Sequence, residues 1–119
     1  MNRWKVKQGN TSRQEFPVYD KKGVLIPNLA EASEIKFVVK RDVDSAEALI
    51  TKTVDSGISV DTPLEGWLEI ALLPSDTEAE VRRYVMGLQI IWSVEEKWET
   101  IMEIGGRESD IFEITKDVV

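Results

Sequence analysis

The side chains of this chain best suited to chemistry are its carboxylates, and Asp42-Val43-Asp44 places two of them at alternate positions. Carboxylate oxygens are the ligands that Ca²⁺ and Mg²⁺ take in proteins. No glycine-centred loop follows this pair, and no glutamate stands at the spacing of a calcium-binding loop. The sequence therefore favours a solvated loop here and predicts no metal site and no cofactor.

Paired carboxylates are also the catalytic groups of glycosidases, which hold two of them across a cleft. The chain has 22 acidic residues, so some pair at a suitable distance is unavoidable and carries no information without a pocket. The absence of cysteine and histidine excludes thiol nucleophiles, disulfides, thiolate or imidazole zinc sites and Ser-His-Asp catalysis. We therefore predict a protein that is not an enzyme, with a carboxylate-based hydrolase as the enzymatic alternative.

Basic residues are outnumbered 15 to 22 by acidic ones, and the net charge is −7. Nucleic-acid surfaces gain affinity by neutralising phosphates, so this balance predicts no nucleic-acid partner. The basic pairs Lys21-Lys22 and Arg82-Arg83 are not interleaved with aromatic residues as they would be on such a surface. There is no apolar run of about 18 residues and no apolar segment of signal-peptide type near Met1. The sequence thus predicts no membrane partner and a protein made in the cytoplasm.

The four tryptophans are the residues most suited to binding, because exposed aromatic side chains are enriched in sugar platforms and protein interfaces. Trp92 shares the apolar face of its strand and is predicted to be buried, and Trp98 opens another strand. Trp67 lies opposite the apolar face of its own strand, and Trp4 lies near a terminus. We therefore predict Trp4 and Trp67 as the residues that contact a partner or ligand, with packing in the core as the alternative for each.

Strands must position these side chains, because apolar residues recur at every second position. The clearest alternation covers 83–95, and 34–41 and 67–73 repeat it. Shorter strands are predicted at 4–7, 14–19, 49–54, 98–104 and 111–114, separated by turn sequences such as Asp20-Lys21-Lys22-Gly23. The predicted core consists of alternating apolar residues from three of these strands: Phe37, Val39, Leu68, Ile70, Leu72, Leu88 and Ile90.

Short helical turns are expected at only two places. The segment 74–80 combines a capping residue, Ser75 or Asp76, with helix formers, and 29–33 is the second. The pattern predicts an all-β chain of one domain, 1–119, folded as an immunoglobulin-like antiparallel β-sandwich of two sheets about 10 Å apart. Tyr84 begins a late strand as the tyrosine of a tyrosine corner does, and Met86 stands where the second disulfide cysteine of such sandwiches stands. A tyrosine that merely begins a strand is the alternative.

The order of short motifs along the chain carries a resemblance that covers nearly its whole length. In sequence order, the motifs are Gly9-Asn10-Thr11, Phe16 with Val18, Asp20-Lys21-Lys22-Gly23, Asn28-Leu29, Ile35-Lys36-Phe37-Val38-Val39, Glu65-Gly66-Trp67-Leu68-Glu69-Ile70-Ala71-Leu72, Pro74-Ser75-Asp76-Thr77, Tyr84, Gly105-Gly106 and Phe112-Glu113-Ile114. This order resembles the N-terminal domains of phage upper baseplate proteins and related tail-fibre or prophage proteins. The chain departs from that family at Asn10, where Asp is commoner, and in the long segment from Glu78 to Arg83 that precedes Tyr84.

The resemblance implies an immunoglobulin-like domain that acts by contact and not by catalysis. It implies a structural protein of the virion of a tailed phage or prophage, in the tail, baseplate or fibre attachment, or on the capsid surface. The expected partners are other virion proteins, with a homo-oligomer as a further expectation, and no catalytic or ligand residues come with the family. The alternative that the residues themselves leave open is a carbohydrate-binding sandwich that uses Trp67 or Trp4 as a platform.

Overall fold

The computed structural model describes residues 3–19, 24–26, 29, 32–42, 44–54, 56–60, 66–91, 99–102 and 111–116. The all-β class is confirmed, because nine strands and one short helix make up the elements of this described part. In chain order the elements are β1 (Arg3–Lys7), β2 (Ser12–Pro17), β3 (Glu34–Lys40), β4 (Ile50–Val54), β5 (Gly57–Ser59), β6 (Trp67–Leu72), α1 (Pro74–Thr77), β7 (Arg82–Ile91), β8 (Glu99–Met102) and β9 (Ile111–Thr115).

The described strands follow one hydrogen-bonded path, in the order β1-β9-β7-β3-β4-β5-β6-β2, with β8 paired to β7 outside this path. Most neighbours are antiparallel, but β1 runs parallel to β9, and β4 runs parallel to β5. The path curls until its two end strands approach each other, since the rings of Trp4 on β1 and Phe16 on β2 lie 5.6 Å apart. The finer prediction of two separate sheets stays a prediction.

Period-two alternation forms the core as the sequence predicts. In β3 and β7 the inward residues meet directly across the ladder, with Phe37 opposite Leu88 and Val39 opposite Met86. All seven predicted core residues are buried, none more than 2% exposed. Burying each such side chain contributes roughly 1.5–3 kcal/mol before entropy is counted, so the inward face of this sheet is the main source of stability.

Trp4 is a correction to the sequence analysis, because its side chain is 2% exposed and not available at the surface. Its ring lies 5.6–5.8 Å from the rings of Phe16, Phe37 and Phe112, and its Nε1 donates a hydrogen bond to Ser12 Oγ, 3.1 Å away. The physical reason is the curl of the sheet, which brings strands from both ends of the path over the inward face of β1. The expectation of an exposed Trp4 is therefore wrong.

The predicted helical turn after β6 is present as α1, but its N-cap is Leu73 and not Ser75 or Asp76. Pro74 takes the first helical position, where its fixed φ suits a helix and its missing N–H is no loss. Asp76 still serves the helix start, since its Oδ2 accepts a hydrogen bond from the Leu73 amide at 2.8 Å. In the second predicted turn, the Ala32 amide donates to the Leu29 carbonyl at 3.1 Å.

Several predictions from the sequence fall outside the described residues. They are the burial of Trp92, the strand start at Trp98, the Gly105-Gly106 turn and the tip of the Asp20 to Gly23 turn. An antiparallel bridge between Tyr19 and Leu25 flanks that last turn. No helix within the described ranges has the length and apolar character needed to cross a membrane.

Candidate functional site

The helix α1 fastens the turn that joins β1 to β2, the two end strands of the sheet. Thr77 is fully buried, and its hydroxyl donates to the carbonyl of Asn10 at 2.8 Å. The Gly9 amide donates back to the Thr77 carbonyl at 3.2 Å, and Gln8 Nε2 donates to the Ala79 carbonyl at 2.8 Å. These bonds fix the positions of both end strands relative to α1.

A half-buried ion pair holds α1 against β4. Lys52 lies opposite Phe37 in the ladder, so its side chain starts from the inward face of the sheet. Its Nζ lies 2.8 Å from Asp76 Oδ2, and the two side chains are 13% and 20% exposed. The same carboxylate oxygen accepts from the Leu73 amide, so Asp76 is engaged by both a cation and a backbone donor. The pair therefore acts as a structural clasp.

Tyr84 makes the backbone contact that defines a tyrosine corner. Its hydroxyl donates to the Glu80 carbonyl at 2.6 Å, four residues upstream, while its ring packs against Phe112. Burial raises the pKa of Tyr84, with opposing contributions from Arg41 and Arg82, which lower that pKa, and a further raising contribution from Glu80. This contact is of the kind that a tyrosine corner makes, and it fixes the start of β7 against the segment that follows α1.

The clearest candidate for a contact surface is β2, the end strand that pairs only with β6 in the described sheet. Arg13, Gln14 and Glu15 are exposed one after another, although alternate residues of a strand point to opposite faces. Both faces of β2 are therefore accessible over this stretch. An end strand also leaves one row of backbone N–H and C=O groups without a neighbouring strand.

Acidic side chains stand directly opposite each other beside this edge. Glu15 on β2 is the ladder partner of Glu69 on β6, and like charges in this position are unfavourable. Arg13 relieves part of the repulsion, since its NH1 lies 3.6 Å from Glu69 Oε1. The Arg13 side chain is 70% exposed, so this pair contributes little by itself. The β2 edge therefore presents a cation and a carboxylate, two residues apart, to solvent.

Trp67 is the one predicted contact residue that the structure leaves partly accessible. It is half-buried on the outward face of β6, opposite Pro17 of β2. It follows Gly66, whose φ of +82° belongs to the left-handed region that favours glycine. A Cβ at Gly66 would lie 3.0 Å from the carbonyl oxygen of Ile26, so the backbone at Ile26 lies close to the backbone at Gly66. The role of Trp67 as a contact residue stays a prediction, and Trp4 offers no surface for one.

Asp42 and Asp44 have the contacts of a turn. The amide of Asp44 donates to Asp42 Oδ1 at 3.1 Å, and Ser45 Oγ lies 3.2 Å from the same oxygen. In the described part of the chain, no group of three or more acidic, histidine or cysteine side chains is placed to hold a metal ion. The carboxylate of Asp42 accepts hydrogen bonds from within its own loop.

Sequence reasoning missed the β2 edge as a site. Its signal is the run Arg13-Gln14-Glu15, which interrupts the alternation that continues at Phe16 and Val18. Three polar residues in succession on a strand indicate that neither face is covered there. Which strand lies at an edge, however, depends on the strand order and cannot be taken from the run alone.

No protein-family model matches the chain, and no curated protein matches it either.

Proposed function

We propose that this chain is a non-catalytic structural protein of a tailed phage or prophage, which contacts other virion proteins in the tail, baseplate or fibre attachment or on the capsid surface. The observation that carries the contact role is the exposed β2 edge, with Arg13, Gln14 and Glu15 accessible together. Edge strands bind partners through backbone hydrogen bonds, and side chains at alternate positions add selectivity. Such a surface suits an assembly protein, because it needs no pocket.

Support for the virion assignment comes from where the family-like motifs lie in the fold. Ile35-Lys36-Phe37-Val38-Val39 lies within β3, and the Leu68 to Leu72 alternation lies within β6. Pro74-Ser75-Asp76-Thr77 is α1, and Tyr84 stands near the start of β7 with its corner contact. These four motifs thus lie on regular elements of an all-β fold, the class that the resemblance implies.

Immunogold electron microscopy of particles released by cells that carry the gene tests this proposal. Antibody against the purified chain is expected to label virions, at the tail tip for a baseplate role or over the head for capsid decoration. The control for nonspecific labelling is antibody that has first been absorbed with the purified protein. Abundant particles without label would refute the virion assignment.

The second candidate function is carbohydrate binding at Trp67. The observation that favours it is the outward position of this half-buried ring, with Glu69 two residues along the same face of β6 and Ser59 opposite Glu69 on β5. Aromatic rings flanked by polar side chains suit polyhydroxyl ligands. Titration of tryptophan fluorescence with a broad glycan panel tests it, with Trp67→Phe as the control that removes the reporting ring. A flat titration across the panel excludes this function.

A further inference from the structure

The β2 edge has a charge pattern that is complementary to itself. Arg13 and Glu15 are the two outward charges, one residue on either side of Gln14. An antiparallel copy of the same strand, centred on Gln14, places the partner's Glu15 opposite Arg13 and the partner's Arg13 opposite Glu15. Oppositely charged side chains that face each other across antiparallel strands attract, so both pairs are favourable.

We propose that β2 binds β2 of a second copy of this chain, antiparallel and about a two-fold axis that passes through Gln14. The inference rests on the contact role proposed above, because it names the partner of the same edge. Two-fold dimers are the commonest closed assemblies, and they require a surface that is complementary to itself. The dimer joins two sheets into one continuous sheet across the axis.

The repulsion inside each copy also decreases in this arrangement. Glu15 faces Glu69 on one side, and the partner's Arg13 would approach it from the other. Arg13 already lies 3.6 Å from Glu69 within its own chain. In the dimer each Glu15 therefore has a cation of the partner beside it, which offsets part of its repulsion from Glu69.

The opposite edge of the sheet is a poor alternative. On β1 the outward residues Lys5 and Lys7 are both basic and exposed, so a second copy of β1 centred on Lys5 would bring lysine against lysine. Lys5 also has a carboxylate across its own ladder, because its register partner on β9 is Glu113. Lysines on an edge strand discourage pairing with other strands, and β1 has this protection while β2 lacks it.

The length of β2 limits the ladder between the two copies. Pro17 has no N–H to donate, and it lies at the end of the strand. The register centred on Gln14 therefore pairs Ser12 with the partner's Phe16 and extends over five residues of each copy. A contact of this size lies at the small end of specific interfaces, so the dimer is expected to dissociate on dilution.

Engineered cysteines test the register, since the natural chain contains no cysteine. Side chains that face each other across antiparallel strands have Cβ atoms about 4.5–5.5 Å apart, close enough for a disulfide after small adjustments. Gln14→Cys is expected to form a covalent dimer under mild oxidation, seen on non-reducing electrophoresis. The matched control is Lys7→Cys, an exposed position on the other edge strand. Equal dimer formation by the two variants, or none by either, would overturn the proposal.

Charge reversal tests the pairing without a covalent bond. Arg13→Glu and Glu15→Arg each turn two attractive pairs into repulsive ones, and each is expected to weaken association by about tenfold or more in sedimentation experiments. The double variant R13E/E15R restores both pairs and is expected to dimerise like the parent. A mixture of the two single variants is expected to form a heterodimer. Folded variants that all associate equally would contradict the proposal.

The two proposals fail in different experiments. If virions carry gold label but Gln14→Cys stays monomeric, the dimer is refuted and the virion role stands. If the cysteine and charge variants behave as expected but no particle carries label, the dimer stands and the virion role is refuted.

Discussion

Tyr84→Phe tests whether the corner contact stabilises the fold. The substitution keeps the buried ring against Phe112 and removes only the hydroxyl, which donates to the Glu80 carbonyl at 2.6 Å. Glu80 lies at the surface, so we expect water to replace the lost donor. The free energy of unfolding is then expected to fall by the net value of one hydrogen bond, about 1 kcal/mol. The larger penalty of leaving a buried polar group without a hydrogen-bond partner does not apply. For a chain of this length that corresponds to a melting temperature lower by about 4 °C.

The matched control is Tyr19→Phe, because Tyr19 is 49% exposed. Removing this exposed hydroxyl is expected to change the free energy of unfolding by less than about 0.5 kcal/mol. Urea unfolding followed by tryptophan fluorescence measures both variants, together with calorimetric melting. If Tyr84→Phe destabilises the protein no more than Tyr19→Phe does, the corner bond contributes nothing and the reasoning is refuted.

The same substitution predicts a difference at high pH. Burial raises the pKa of Tyr84 above its ordinary value of 10.0, so the folded protein holds this proton more tightly than the unfolded chain does. Above about pH 10 the unfolded chain releases the proton first, and the stability of the parent falls as pH rises. Tyr84→Phe lacks this proton, so its disadvantage relative to the parent is expected to shrink above pH 10. A stability difference that stays constant up to pH 11 would contradict the burial argument.

Further substitutions test three other contacts of the fold. Gly66→Ala is expected to destabilise by about 3 kcal/mol and Gly9→Ala by about 1 kcal/mol, because both have positive φ but only Gly66 meets neighbouring backbone; equal losses in urea unfolding would contradict this. Asp76→Ala is expected to cost about 2 kcal/mol, since it removes both the ion pair with Lys52 and the bond at the start of α1. In a double-mutant cycle with Lys52→Met, the two substitutions are expected to show a coupling energy of about 1 kcal/mol. Strictly additive effects would show that the ion pair between Lys52 and Asp76 does not stabilise the fold. Trp4→Phe is expected to cost about 2 kcal/mol in thermal unfolding through a cavity and the lost Nε1 bond, whereas a neutral change would argue against its burial.

The long strands could be predicted because a sheet with one covered face requires apolar residues at every second position, and this pattern is local in the sequence. Leu68, Ile70 and Leu72 occupy one face of β6, and all three are fully buried. The strand β5 was missed because three residues are too few to show a period. Its place depends on the ladder, in which Ile58 lies opposite Ile70.

The contact residues were less predictable, because exposure depends on which strands come together. Trp4 alternates with Lys5 as a strand residue should, but its burial depends on aromatic rings from three other strands, those of Phe16, Phe37 and Phe112. The sequence around Trp4 does not specify that these strands come together. The corner of Tyr84 was predictable, since both its donor and its acceptor lie within one short segment.

The parallel pairing of β1 with β9 determines when the core can be completed during synthesis. Of the described strands, β1 leaves the ribosome first and β9 last, and Thr115 Oγ1 bonds to the Val6 carbonyl across 109 positions. While the intervening strands are being made, the indole of Trp4 has no Phe112 to pack against. A nascent chain therefore keeps β1 without its neighbour in the sheet until residues 111–115 have been made. Closing so distant a contact is slow, and chaperones have the longest access to β1 in this interval.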